Sequence, residues 1–257
     1  MNCGAWVESL ACGGMTDLHV DVIGSGDRVV LVHGSDDPER TWAKQRPLAD
    51  RYELVVPHRR GYGRSPDADP DFEVDAADVA GLLGEPAHVV GFSYGGIASL
   101  LAAAQRPEHV RSLAVIEPPA FGIALGEPSV DELLERLRPV LACAGELTPE
   151  EFDTAFDRAI GFRHPPGSLD PELRRVIEAI QRERPPHEAV LPLTELARAR
   201  FPKLVVSGGW SPAFEAVCDM LERELCAERA VFAEHGGHGV QHAVETRGVL
   251  EAFWSRS

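Results

Sequence analysis

Ala87-His88-Val89-Val90-Gly91-Phe92-Ser93-Tyr94-Gly95-Gly96-Ile97 runs from a short apolar strand, through a Gly-x-Ser-x-Gly turn, into an Ala- and Leu-rich helix that reaches Gln105. A serine on so sharp a turn is held in a strained backbone conformation. The glycines two places to either side leave room for neighbouring backbone and helix. The hydroxyl of Ser93 then stands exposed, and the backbone N–H of Tyr94, at the start of the helix, points to where an oxyanion would form. The five residues also fit an ordinary Gly/Ser loop, so the elements around them decide.

Working outward, residues 18–23 alternate in hydropathy and residues 29–32 are continuously apolar, with Gly24-Ser25-Gly26-Asp27 between them reading as a hairpin turn. Residues 54–56 form another strand, Arg60-Gly61-Tyr62-Gly63-Arg64-Ser65-Pro66 a turn-rich loop, and residues 75–83 a helix. A further strand at residues 113–116 follows the helix after Ser93. This alternation implies an α/β fold, a mainly parallel sheet with helices on both faces. Sites in such sheets form at the carboxyl ends of the strands, where Ser93 falls.

Between Pro118 and Arg200 strand patterns give way to helical ones: residues 130–141, 149–160 with Thr148 as N-cap, and 171–184 with Asp170 in the same role. Pro165-Pro166, Pro185-Pro186 and Pro192 interrupt them. Strands return at residues 203–206 and 229–232, each followed by a helix, at 212–225 and 244–254. The organisation expected is a loose extension over 1–15, a sheet domain made of 16–117 and 201–257, and a helical cap over 118–200 inserted into it.

A chain of 257 residues suffices for one such domain with its insertion. A formal charge of −16 repels phosphate backbones and anionic headgroups, which argues against nucleic acid and membrane surfaces as partners and leaves small molecules open. The apolar runs are short of a bilayer span and residues 1–14 lack a basic n-region, so a cytoplasmic protein is expected. Cys3, Cys12, Cys143, Cys218 and Cys226, an odd number without a CxxC pair, suit reduced structural thiols better than disulfides or a metal site.

With the elements placed, the chain resembles a capped member of the α/β-hydrolase fold from about Thr16 onward. Four motifs in order carry the resemblance: Val32-His33-Gly34 after a strand, the Arg60–Ser65 loop, Gly91-Phe92-Ser93-Tyr94-Gly95-Gly96, and Gly236-Gly237-His238 before the final helix. His58 stands where the family usually carries Asp ahead of the glycine-rich loop, so that loop is expected to be tied down differently.

A serine hydroxyl is a weak nucleophile that needs a base within reach, and the base needs an acid to hold its tautomer. The family order is Ser, acid, His, which implies Ser93 as nucleophile and His238 as base, with His235 and His242 as rivals. His33 is expected to hold its loop; His19, His109 and His187 read as solvated. The acid departs from the commonest pattern: Gly208-Gly209-Trp210-Ser211 has serine where a carboxylate is usual, and Glu215 already lies inside the next helix. The strand after the nucleophile helix instead ends Ile116-Glu117-Pro118, and some family members, haloalkane dehalogenases and zearalenone-type lactonases among them, take their acid there. Glu117 is therefore the expected acid.

The oxyanion hole is expected from the N–H groups of Tyr94 and, by the resemblance, Ser35. Arg59, Arg60 and Arg64 read as solvated or paired with Asp67 and Asp69. Phe121, Phe152, Phe156 and Phe162 are pocket candidates because they lie in the cap, though each alone also reads as cap-core packing. The activity expected is cofactor-independent, metal-free hydrolysis of a small or medium apolar ester or lactone through an acyl-enzyme. The alternatives are thioester or C–C bond hydrolysis, or a cyclase, lyase or ligand receptor on the same scaffold.

Overall fold

Val29, Val30, Leu31 and Val32 are all fully buried, as a strand covered on both faces requires. The computed structural model describes residues 17–162 and 169–256. The extension expected over 1–15, with Cys3 and Cys12, and the Pro165-Pro166 break lie outside them. The strands are β1 (Val20–Gly24), β2 (Asp27–Val32), β3 (Tyr52–Pro57), β4 (Ala87–Phe92), β5 (Val110–Ile116), β6 (Lys203–Ser207) and β7 (Glu228–Val231). The helices are α1 (Pro38–Thr41), α2 (Phe72–Leu82), α3 (Tyr94–Gln105), α4 (Pro128–Ala142), α5 (Pro149–Ile160), α6 (Pro171–Arg182), α7 (Leu193–Arg198), α8 (Pro212–Leu225) and α9 (Val244–Trp254).

The strands form one sheet in the order β1-β3-β2-β4-β5-β6-β7. Only β1 runs antiparallel to its neighbour. Side chains alternate between two cores. Val30, Val55, Val89, Val115 and Val205 join α2, α3 and α8. Leu31, Leu54, Val90, Ala114 and Val206 join Trp42, Leu48 and α9 on the other face.

The expected β1–β2 hairpin does not form: β3 lies between them, antiparallel to β1 from Val20↔Pro57 to Gly24↔Glu53 and parallel to β2. The Gly24–Asp27 turn instead presses on the segment leading into β3. A Cβ on Gly24 would stand 2.3 Å from the Tyr52 carbonyl oxygen, and one on Gly26 2.4 Å from that of Arg51. Both glycines have positive φ, so they allow the crossing rather than a two-strand turn.

Asp21 of β1 supplies the carboxylate that the glycine-rich loop lacks. The Arg64 N–H donates to His58 Nδ1 at 3.0 Å, so Nε2 carries the proton and donates to Asp21 Oδ2 at 2.9 Å. Arg64 reaches the same carboxylate oxygen at 3.1 Å. His19, expected in solvent, also bonds to Asp21 at 3.0 Å. The ligand atoms of His19, Asp21 and His58 lie within 4.8 Å of one another. With His58 Nδ1 already accepting and Arg64 already neutralising Asp21, they read as a hydrogen-bonded tie rather than a metal site.

All of α4 to α7 lies between β5 and β6, and no strand interrupts them among the described residues. Thr148 closes a capping box with Glu151 at the start of α5, and Asp170 accepts from the backbone of Glu172 and Leu173 at the start of α6. No helix among the described residues is long and apolar enough to cross a membrane.

Candidate active site

β4 delivers Ser93 and the adjacent β5 delivers Glu117, and both residues take positive φ, 51° and 46°. Such backbone costs a non-glycine residue about 1–3 kcal/mol and persists only where its surroundings hold it. Here the parallel ladder does so, continuing one residue past each strand: Ser93 N–H donates to Ile116 at 2.9 Å and Glu117 N–H to Val206 at 2.9 Å. The flanking glycines are needed for space. A Cβ on Gly91 would sit 2.4 Å from Ser99 Oγ, and one on Gly95 2.2 Å from the His33 carbonyl oxygen.

His238, between β7 and α9, connects the two. Its Nε2 lies 3.0 Å from Ser93 Oγ and its Nδ1 2.7 Å from Glu117 Oε2. A carboxylate at Nδ1 keeps the proton there, leaving the Nε2 lone pair to accept from the serine hydroxyl. The other Glu117 oxygen, Oε1, accepts from Gly208 N–H at 2.8 Å and Trp210 Nε1–H at 2.9 Å. Glu117 is fully buried, and the three donors replace the water it has lost. The described bonds put neither His235 nor His242 on Ser93. His242 sits among Asp36, Lys44 and Arg40, its pKa lowered by burial.

Glu215 has a different task. It accepts from Ser207 Oγ at 2.9 Å and Gly209 N–H at 3.0 Å and pairs with Arg229 at 2.5 Å, tying the end of β6 to α8.

Tyr94 is the first residue of α3, so its N–H belongs to the helix end that no intrahelical carbonyl satisfies. Gly34 abuts Ser93, since a Cβ there would stand 2.8 Å from Ser93 Cβ; Ser35 follows it. His33 holds this loop as expected. Its Nε2 accepts from Arg59 N–H at 2.9 Å, which leaves Nδ1 protonated to donate to the Gly34 carbonyl at 2.7 Å.

The arginines do not pair with the aspartates of their own loop. Asp67 and Asp69 turn outward and meet Arg182, while the guanidinium groups reach inward or along the surface to other carboxylates. Arg60 pairs with Asp78, and Arg64 with Asp21 and Glu39. Arg59 is 1% exposed and donates to Asp75 at 2.7 Å and Glu183 at 3.0 Å. Burial would lower its pKa, but Asp75 and Glu183 outweigh that and raise it. Burial also pushes the Asp75 carboxyl up to about 6, against the pull of Arg59.

The aromatic surroundings of His238 only partly match the sequence candidates. Its ring lies 4.9 Å from Phe92, 5.1 Å from Phe214, 5.8 Å from Phe162 and 6.0 Å from Trp210. Phe162 is thus brought to the site, and Phe121 packs edge-on against Phe214 at 5.2 Å. Phe152 and Phe156 stack on each other at 5.4 Å among Ala144, Leu147 and Ile177, which accounts for them as packing within the helical segment. Trp210, Phe214 and Glu183 were not singled out from sequence. A hollow of about 200 Å³ beside Trp210 has a mixed lining that includes Leu133, Ile160 and Ala213 as well as Glu132, Arg136 and Ser129. A groove of about 810 Å³ between α4 and α5 contains none of the residues around Ser93.

A family model described as the Alpha/beta hydrolase family matches residues 29–250. The chain is 33% identical over 142 residues to Lipase LipV of Mycobacterium tuberculosis, covering 52% of each protein. It is 38% identical over 105 residues to the pimeloyl-(acyl-carrier protein) methyl ester esterase of Chromobacterium violaceum, covering 39% of this chain and 40% of that one. The chain thus spans about half the length, or less, of these curated relatives. The crystal structure of an alpha/beta hydrolase from Sphaerobacter thermophilus superposes with a TM-score of 0.67 at 26% identity, over 92% of this chain and 96% of that one. Fold, motif order and family match agree: the chain belongs to the α/β-hydrolase family.

Proposed function

We propose that the protein is a serine hydrolase that cleaves a small or medium apolar carboxylic ester or lactone through an acyl-enzyme. The observation that carries this reading is the unbroken line from Ser93 Oγ to His238 Nε2, 3.0 Å, and from His238 Nδ1 to Glu117 Oε2, 2.7 Å. Ser93 Oγ attacks the carbonyl carbon while His238 Nε2 takes its proton, and Glu117 stabilises the imidazolium. The N–H groups of Ser35 and Tyr94 hold the oxyanion. His238 returns the proton to the leaving alkoxide, and water, activated by the same nitrogen, releases the acid and restores the serine. The reaction as written draws only on water and the chain's own groups.

The apolar class is supported by Phe92, Phe162, Trp210 and Phe214 around His238, and the ester class by the names of the lipase and methyl ester esterase it resembles. On this reading residues 118–200 form a cap over the site, which Phe162 supports by reaching His238. Free thiols at Cys143, Cys218 and Cys226 and the net charge of −16 favour a cytoplasmic setting with small molecules as partners. The test is a panel of p-nitrophenyl esters with a fluorophosphonate probe. Turnover and labelling of Ser93, both lost in Ser93→Ala, are expected; turnover retained in that variant would remove the nucleophile assignment.

A further inference from the structure

Ser35 and Tyr94 share a property that their backbone roles do not require: the side chain of each is tied to the same point of the inserted helical segment. Ser35 Oγ donates to Glu183 Oε2 at 2.7 Å, and Tyr94 Oη donates to the Arg184 carbonyl at 3.0 Å. Glu183 is the C-cap of α6 and Arg184 follows it. Both belong to the excursion between β5 and β6, 148 and 90 residues away in sequence from the groups they hold.

The contact extends to the peptide that aims the Ser35 N–H. A peptide is planar, so fixing the Gly34 carbonyl fixes the direction of the Ser35 N–H opposite it. That carbonyl accepts from Arg59 Nη1 at 2.9 Å and His33 Nδ1 at 2.7 Å. The guanidinium is positioned in turn by Asp75 on one side and Glu183 on the other. A buried cation on a carbonyl oxygen also polarises the peptide and strengthens its N–H as a donor. Glu183 Oε1 further accepts from Tyr62 at 2.8 Å, and its side chain is only 7% exposed. The connection is anchored at both ends. Arg182 meets Asp67 and Asp69, and Arg184 N–H donates to the Pro70 carbonyl at 3.0 Å.

We infer that Glu183, acting with Arg59 and the Arg184 carbonyl, is a positioning residue for the oxyanion hole, so that the inserted helical segment helps to stabilise the transition state. This rests on the serine-hydrolase reading above. Glu183 touches none of the reacting atoms; it sets the direction and strength of the donors that do.

The test measures kcat and KM on a p-nitrophenyl ester, per site titrated with a fluorophosphonate, for Glu183→Gln, Glu183→Ala, Ser35→Ala and Tyr94→Phe. Ser35→Ala cuts the Glu183 contact from the core side and Tyr94→Phe the contact to the Arg184 carbonyl; both keep the backbone N–H groups, and they decide the matter if Glu183 variants fail to fold. Deleting an oxyanion donor costs about 10²–10³ in kcat. Misaiming one is expected to cost about 10–100-fold in Glu183→Ala, less in Glu183→Gln, and about tenfold in Ser35→Ala, with KM within about threefold throughout. Glu183→Ala and Ser35→Ala combined should lose less than the product of the single losses, because they remove one shared contact. Wild-type kcat per titrated site in Ser35→Ala and Tyr94→Phe, or losses confined to KM or to the fraction of folded protein, would overturn the inference. A wild-type protein that neither labels at Ser93 nor turns over any ester would instead overturn the hydrolase reading beneath it.

Discussion

Replacing Glu117 with glutamine tests the electrostatics of the site with almost no change of shape. Oε1 accepts from two donors, Gly208 N–H at 2.8 Å and Trp210 Nε1–H at 2.9 Å, so the amide of Glu117→Gln must place its oxygen there. Its NH2 then occupies the Oε2 position, 2.7 Å from His238 Nδ1, and donates to a nitrogen that formerly donated. His238 is driven to the tautomer with its proton on Nε2, facing Ser93, where it cannot act as a base. A carboxylate-to-amide change behind a catalytic histidine costs about 10⁴ in kcat, equivalent to about 5.5 kcal/mol of barrier. Stability should barely move. All three hydrogen bonds survive in number, and the loss of charge assistance is offset by no longer burying a carboxylate. A shift of about 1 kcal/mol in either direction moves Tm by about 2–4 °C in a domain of this size. Pre-steady-state acylation by a p-nitrophenyl ester reads the rate, scanning calorimetry the Tm, and ¹⁵N NMR the His238 proton. Acylation within tenfold of wild type, or a proton still on Nδ1, would refute the argument. A Tm lowered by more than about 10 °C would mean that the variant acts through collapse of the site instead.

Gly34→Ala puts a Cβ 2.8 Å from Ser93 Cβ and 3.2 Å from Phe92 Cδ1; ester turnover should fall at least about a hundredfold, as steady-state assays would show. Trp210→Phe removes one of three donors to a buried carboxylate and should cost about 1.5–3 kcal/mol in denaturant unfolding, with the aromatic contact to His238 retained. His88 is buried against Ser112 Oγ at 2.7 Å, and its pKa is lowered to about 4 by burial first and Arg111 second. The unfolded chain therefore takes up this proton before the folded one, so His88 favours the fold above about pH 6.5 and that contribution is lost as pH falls toward about 4. Tm measured across that interval should fall less steeply in His88→Asn, and an unchanged slope would contradict the assignment.

The sequence made the succession of strands and helices along the chain legible because the central strands are short apolar runs and α5 and α6 open on side-chain caps, Thr148 and Asp170. Glu117 could be proposed because it closes the apolar stretch 113–116 and because the family resemblance offers that position where Gly208-Gly209-Trp210-Ser211 lacks a carboxylate. The partners that complete the site were out of reach for a different reason. Trp210 acts through one N–H aimed at a residue 93 positions earlier, and nothing local to Gly208-Gly209-Trp210-Ser211 announces that direction. Glu183 sits in Arg182-Glu183-Arg184, a charged helix end that reads as solvated, yet its carboxylate is carried inside by contacts 124 and 148 residues distant. The Gly24–Asp27 turn misled because local turn chemistry cannot reveal that a third strand, β3, will come between two neighbours.

Ser93 and Glu117 are each fixed by a backbone bond to the neighbouring strand, and strands in a sheet stay about 4.8 Å apart whatever their side chains. Among the described residues His238 shows no such tie: it rides on the connection between β7 and α9, steadied by ring contacts and by the two groups it joins. Mutational tolerance is therefore divided unevenly. Variation in the sheet that keeps apolar volume leaves the spacing of Ser93 and Glu117 intact, whereas variation around His238, in Phe92, Phe162, Trp210 or Phe214, moves the member that sits off the strand ladder. In a library selected for new substrates, adaptive changes should concentrate on those aromatic neighbours while β4 and β5 keep their apolar volume, so on the proposed mechanism evolvability lies in the setting of the base.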